Sequence, residues 1–118
     1  GQAKGYESMI GVLNTPGFAD AQGQGICHFT GLPHVVVDRH RAVATSYLQI
    51  LAADPGGKPF ALSAHGTSKG FRVLRLSANR WELQRTAEGW RIKNRTMRSM
   101  DNPASRELLK RTTAGTAA

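Results

Sequence analysis

The sequence predicts an α+β domain in which one short helix precedes an antiparallel sheet. The main evidence is residues 71–97, where two long amphipathic segments are joined by Thr86-Ala87-Glu88-Gly89. Their polar and apolar residues alternate, which indicates strands, and a four-residue link containing glycine is typical of a hairpin. A chain of 118 residues is long enough for one hydrophobic core. We therefore expect one domain over residues 1–118, with a flexible tail over 103–118.

The N-terminal part of the chain has one helical pattern. Tyr6, Met9, Ile10 and Leu13 follow the i, i+3, i+4, i+7 spacing of a short helix. Proline and glycine within residues 14–17 are expected to end it. The glycine-rich residues 17–25 are predicted to be a loop.

Between this loop and the hairpin, short apolar or β-branched runs alternate with turn residues. These runs predict strands, and the aspartate, proline and glycine clusters between them predict turns. The predicted strands are 26–29, 34–37 and 41–51, with turns at 38–40 and 54–57. Residues 58–70 are predicted to be loop or irregular strand, and 104–111 one or two helical turns.

The two hairpin strands each have a face with apolar ends. Odd-numbered residues 71–83 share one face of the first strand, and we predict that Trp90, Ile92, Asn94 and Thr96 continue it on the second. Ser77, Asn79 and Asn94 put polar groups on this face, which is expected to point inward. A buried polar group without a partner costs about 1–3 kcal/mol. These groups therefore either line a ligand pocket or bond to one another or to water in an ordinary core.

Three segments resemble the SnoaL-like branch of the NTF2-like superfamily. Gly89-Trp90-Arg91-Ile92 resembles the end of that fold, while Cys27-His28-Phe29-Thr30-Gly31 and Ser77-Ala78-Asn79 are similar to cavity-lining segments of its scytalone dehydratase-like members. The resemblance covers roughly residues 5–100. It implies a curved antiparallel sheet that packs on a short helix as a cone. It also implies that the helices that normally open this fold are absent here.

The resemblance implies a lyase, isomerase or cyclase that needs no cofactor and acts on a small, oxygenated, mostly apolar molecule. Related polyketide cyclases and steroid isomerases suggest the same chemistry. His28 matches the acid/base histidine of the family, and histidine readily exchanges protons near neutral pH. The alternatives are a structural histidine bonded to backbone and a non-catalytic module that binds a small molecule or a subunit.

Five residues are predicted to bind the substrate: Tyr47, Arg75, Ser77, Asn79 and Trp81. Tyr47 could donate to a substrate oxygen or be a core residue with a satisfied hydroxyl. Arg75 could pair with an acidic ligand or reach solvent. No pair of carboxylates is placed for acid/base work. The histidine spacing does not suit a metal, so we expect none, and the resemblance implies that no cofactor is needed.

The composition of the chain limits the kinds of partner that we expect it to bind. The net charge is +8, but Lys and Arg never form a block longer than two and no nucleic-acid-binding motif is present. We therefore expect no nucleic-acid partner and interpret the charge as a solvated basic surface. Apolar runs are too short to span a membrane, and the single cysteine, Cys27, is consistent with a reducing cytoplasm. Leu74, Leu76 and Ala78 on the outer sheet face predict a homodimer contact.

Overall fold

The structure is a computed structural model that describes residues 4–110. Three helices and seven strands lie within these residues. The helices are α1 (Gly5–Leu13), α2 (Pro16–Gly23) and α3 (Ser105–Leu108). The strands are β1 (Cys27–Thr30), β2 (His34–Asp38), β3 (Arg41–Ala53), β4 (Phe60–Leu62), β5 (Gly66–Ser68), β6 (Phe71–Thr86) and β7 (Gly89–Ser99).

Five strands form one sheet, in which the order is β1-β3-β6-β7 and β2 also pairs with β3. Because β6 occupies one edge of β3, β1 and β2 both lie along the other edge. The pairings β2–β3 and β6–β7 are antiparallel, as is a separate small sheet of β4 and β5. The predicted α+β class and strand positions are confirmed.

The N-terminal prediction was right for the first helix and wrong for the segment after it. Residues 17–25, predicted to be a loop, instead contain α2. Pro16 stands in the first turn of α2, where its missing N–H costs nothing, and the Thr15 hydroxyl accepts a hydrogen bond from the Phe18 amide at 3.3 Å. The signals that end α1 therefore also start α2.

The predicted hairpin turn is confirmed. Thr86 pairs with Gly89, so the chain reverses over Ala87 and Glu88. The Thr86 hydroxyl donates to the Gly89 carbonyl at 2.8 Å and accepts from the Glu88 amide at 3.2 Å. Gly89 has φ 104°, a conformation that other residues rarely adopt, which explains why glycine stands there.

The chain divides into two compact units, and Gly1–Cys27 with Leu51–Val73 forms the first. Within it, the Asp54 amide donates to the Gly70 carbonyl at 2.9 Å. Gly57 packs so closely on Lys69 that any Cβ would overlap the Lys69 carbonyl. This unit contains α1 and α2, neither of which buries a residue completely.

His28–Ile50 with Leu74–Ala118 forms the second unit. Its buried apolar residues include Val43, Leu48 and Ala78. Within the described part of the expected tail, α3 forms and Ser105 is buried; residues 111–118 lie outside the described residues. The single-domain assignment stays a prediction. No helix within residues 4–110 is long and apolar enough to cross a membrane.

Candidate functional site

The candidate site lies on one face of the β6–β7 hairpin in the second unit. Residues directly opposite each other in an antiparallel pair project from the same face. The pairs Ser77–Ser99, Asn79–Met97 and Trp81–Arg95 therefore define one face. The register shifts by one residue between Glu82 and Leu83. Closer to the turn, this face continues with the pairs Leu83–Ile92 and Arg85–Trp90. We call these ten residues the Trp81 face.

A β-bulge changes which β7 residues belong to this face. Glu82 pairs with Asn94 and Leu83 with Ile92, so Lys93 is an extra residue in β7. The bulge reverses the alternation of β7 beyond it. The prediction that Asn94 and Thr96 share a face with Trp90 and Ile92 is therefore wrong.

The opposite side of the hairpin is the Arg80 face, defined by Ala78–Arg98, Arg80–Thr96 and Glu82–Asn94. The Arg80 Nε lies 3.7 Å from the Glu82 carboxylate. The Arg80 guanidinium also donates to the Leu108 carbonyl at 3.4 Å and to the Lys110 carbonyl at 2.6 Å. The C-terminal segment therefore contacts the Arg80 face at Arg80 itself.

The centre of the Trp81 face is polar and completely buried. Ser77 and Asn79 have no solvent exposure at all. The Ser77 hydroxyl oxygen and the Asn79 amide nitrogen have no hydrogen-bond partner within the described residues, and the same is true of the Ser46 hydroxyl in β3. Buried polar atoms normally have partners, so these three atoms make this part of the unit the candidate site.

Ser46 was not among the predicted residues. Ala44 and Leu48 flank it at period two on β3, so it interrupts a run of small or apolar residues on its own face. That interruption was the available sequence signal. It does not by itself identify Ser46 as a site residue, because the pairing of β3 cannot be read from the sequence.

Arg95 is the second residue that the sequence did not identify. The sequence pattern placed it on the face opposite Trp90, but the bulge moves it to the Trp81 face. Its guanidinium donates to the Asn79 amide oxygen at 3.3 Å and stacks over the Trp81 ring at 5.4 Å from the centroid. Arg85 stacks over Trp90 in the same way at 4.8 Å. Cation–π contacts of this kind hold both guanidinium groups against the sheet.

The remaining predicted residues are more exposed. His28 and Arg75 are exposed, Tyr47 is 50% exposed, and Trp81 is half-buried. Arg75 lies two residues before Ser77 on β6 and so shares its face. Within residues 4–110, the side chains of His28, Tyr47 and Arg75 form no hydrogen bond or ion pair.

A shallow depression of about 370 Å³ lies where β7 meets α3, lined by Met100, Asp101, Asn102, Pro103, Ser105 and Arg106. None of the predicted site residues lines it. Within the described part of the chain, no three His, Cys, Asp or Glu side chains come together as metal ligands would.

Comparison with known proteins agrees with the fold. Residues 1–96 match the family model of the SnoaL-like domain. An NTF2-like protein with a cystatin-like fold from Novosphingobium aromaticivorans is 28% identical, with a TM-score of 0.75 over 92% of this chain and 62% of that one. A provisionally assigned NTF2-like dehydratase from Streptomyces avermitilis is 21% identical, with a TM-score of 0.41 over 61% of this chain and 45% of that one.

No curated protein matches the chain. The Novosphingobium structure confirms the predicted NTF2-like fold, and this chain spans 62% of its length.

Proposed function

The chain belongs to the SnoaL-like domain family, and on that basis we propose that it binds a small, oxygenated, mostly apolar molecule on the Trp81 face. We further propose that it acts on this molecule as a lyase, isomerase or cyclase without a cofactor. The observation that carries the proposal is the buried, unpartnered pair of Ser77 Oγ and Asn79 Nδ2. Each such atom costs about 1–3 kcal/mol when left unpaired, and a ligand oxygen would offset that cost.

The register of β3 supports a third member of this polar group. The Arg85 amide donates to the His40 carbonyl at 2.7 Å, which sets the offset between β6 and β3 at this end. If this offset is kept over the next six residues of each strand, Ser46 lies opposite Asn79. The three unpartnered atoms would then form one cluster on a single face.

The register of β1 relates His28 to the same face. The Gly31 amide donates to the Tyr47 carbonyl at 2.9 Å. If β1 runs antiparallel to β3, as β2 does, this hydrogen bond pairs Thr30 with Leu48 and His28 with Ile50. Ile50 and Ser46 are four residues apart on one strand and therefore share a face. We infer that His28 projects from the Ser46 side and Tyr47 from the other side.

These placements suggest a proton-transfer mechanism. The exposed His28 imidazole would remove a proton from the carbon next to a carbonyl group, and the serine hydroxyls and the Asn79 amide would donate to the enolate oxygen. In an elimination, the imidazolium would return the proton to the departing hydroxyl, which leaves as water. In an isomerisation, it would return the proton to a different carbon.

Binding is tested with 1-tetralone, a small apolar ketone, added to the ¹⁵N-labelled chain. We expect the amide signals of residues 77–81 to shift, and Asn79→Leu to abolish the shifts while the protein stays folded. Thr96→Leu, on the Arg80 face, is the matched control and should leave them in place. Shifts that persist in Asn79→Leu would place the ligand elsewhere.

Catalysis is tested by deuterium uptake at the carbon next to the 1-tetralone carbonyl in D₂O. We expect the chain to accelerate uptake and His28→Gln to remove the acceleration, since general-base catalysis is worth about 10²–10⁴-fold. His65→Gln is the control, because His65 is an exposed histidine of the other unit.

The second candidate function is a non-catalytic binding module. It is favoured by one observation: no side chain within residues 4–110 holds the His28 ring through a hydrogen bond, as an acid/base histidine requires for orientation. Binding of 1-tetralone on the Trp81 face without any deuterium uptake would select this function.

A further inference from the structure

We propose that the molecule bound on the Trp81 face carries an acidic group, such as a carboxylate, and that Arg95 together with Asn79 binds it. This inference rests on the proposed function, because it assumes that the Trp81 face is the ligand site. It narrows the ligand from oxygenated molecules in general to organic acids.

The first argument concerns the hydrogen-bonding atoms that remain free. Arginine has only donors, so the Asn79 atom that faces Arg95 must be its amide oxygen. This leaves the Asn79 amide nitrogen as the unpartnered atom, and that nitrogen can only donate. The guanidinium of Arg95 also keeps donors beyond the one used for Asn79. The site therefore offers donors to a ligand that must supply acceptors, which is the character of a carboxylate.

The second argument concerns charge. The Trp81 face carries Arg85 and Arg95, Arg75 continues it along β6, and none of its residues is acidic. Within residues 4–110, neither Arg85 nor Arg95 has a carboxylate in ion-pair range, whereas Arg91 on the hairpin's other side pairs with Glu88 at 3.2 Å. A ligand anion would supply the opposite charge that the chain itself does not place there.

The third argument concerns preorganisation. The Arg95 guanidinium is stacked on Trp81 and tied to Asn79, so much of its conformational freedom is already lost before a ligand binds. A cation held in this way binds an anion at a lower entropic cost than a free surface arginine. The Trp81 ring would contact the apolar part of the same ligand.

The test compares two probes of nearly equal shape, 1-naphthoate and 1-naphthamide, which differ in charge. Binding is followed through the indole N–H signals of the two tryptophans, assigned with Trp81→Phe. We expect naphthoate to bind the unmodified chain about tenfold more tightly than naphthamide, as a charge-assisted hydrogen bond predicts. Arg95→Met should remove this preference while naphthamide still binds, and Arg91→Met should keep it.

The outcomes separate this inference from the proposed function. Equal binding of both probes, or a preference that survives Arg95→Met, overturns the acidic ligand and leaves the Trp81 face as the ligand site. If neither probe shifts the Trp81 indole signal, the proposed site fails and this inference fails with it.

Discussion

Ser77 is the residue at which stability and the proposed ligand binding are most clearly opposed. Its hydroxyl is completely buried on the Trp81 face and has no partner within the described residues. Alanine has nearly the same shape without the polar atom, so Ser77→Ala should raise the free energy of unfolding of the ligand-free chain by about 1 kcal/mol. Chemical denaturation measures this change.

Ser99→Ala is the matched control for that substitution. Ser99 lies directly opposite Ser77 on β7 but is only partly buried, so its hydroxyl is not forced into an apolar environment. We expect its replacement to change stability by less than about 0.5 kcal/mol. A loss of stability in Ser77→Ala would show that the hydroxyl is satisfied and that no ligand is needed to explain it.

The residues of the site were only partly predictable from the sequence. Ser77, Asn79 and Trp81 were grouped correctly because alternation within one unbroken strand follows directly from strand geometry. Arg95 was placed on the wrong face because one inserted residue reverses the alternation of β7. Ser46 was missed because its partner depends on the pairing of strands far apart in sequence.

The β-bulge at Lys93 shapes the β6–β7 hairpin, and deletions of single residues can test the register between these two strands. Lys93 is the unpaired extra residue, so its deletion should leave every pair on both sides intact. We expect deletion of Lys93 to lower stability by no more than about 1 kcal/mol. Thermal unfolding followed by tryptophan fluorescence measures this.

Deletion of Arg91 is the contrasting variant. Arg91 lies in a regularly paired part of β7, opposite Gln84, so its loss forces a new register. Either Trp90 moves to the other face and loses its contact with Arg85, or Lys93 replaces Ile92 on the Trp81 face. We expect stability to fall by more than in the Lys93 deletion, because this deletion moves a side chain from one face of β7 to the other. Similar stabilities for the two deletions would contradict the bulge position.

The C-terminal element α3 is held by a buried arginine on the opposite face. Arg80 is 9% exposed, and its guanidinium donates to the Leu108 and Lys110 carbonyls and contacts Glu82. Arg80→Met would leave these carbonyls and the Glu82 carboxylate without that partner. We expect stability to fall by about 3 kcal/mol, the usual cost of breaking a buried charged pair.

The same experiment includes a control on the same face. Arg98 is exposed, and within residues 4–110 its guanidinium makes one hydrogen bond, at 3.0 Å to the neighbouring Met97 carbonyl. Arg98→Met should therefore change stability by less than about 0.5 kcal/mol. Proteolysis near residue 108 should quicken in Arg80→Met only. Equal stability of the two variants would show that Arg80 does not anchor the C-terminal segment.

At the scale of the elements, their order was more predictable than their details. The five strands of the main sheet were anticipated because β-branched or alternating runs between turn residues are strong local signals, whereas β4 and β5 lie in residues predicted only as loop or irregular strand. The helix α2 was missed because its glycines and polar residues suggest a loop, while its start depends on Pro16 and the Thr15 cap. Those two residues also resemble a helix end, and sequence alone does not separate the two roles.

At the scale of the whole molecule, the sequence predicts a homodimer, which remains a prediction. Leu74 and Leu76 are 47% and 41% exposed and lie two residues apart on the same face of β6. Ala78, the third predicted contact residue, is fully buried and cannot take part. The dimer contact must therefore centre on Leu74 and Leu76. These residues begin the segment of β6 that belongs to the second unit.

The last prediction concerns how charge affects this association. Two copies with a net charge of +8 each repel one another, and added salt screens the repulsion. Sedimentation at micromolar concentration should therefore show a dimer that becomes tighter as salt increases. Leu76→Lys should give a monomer, because it places a charge within the apolar contact. Ile92→Lys, at an exposed apolar residue of the Trp81 face, should leave the dimer intact. A monomer at every salt concentration, or equal effects of the two lysine variants, would show that this face is not the contact.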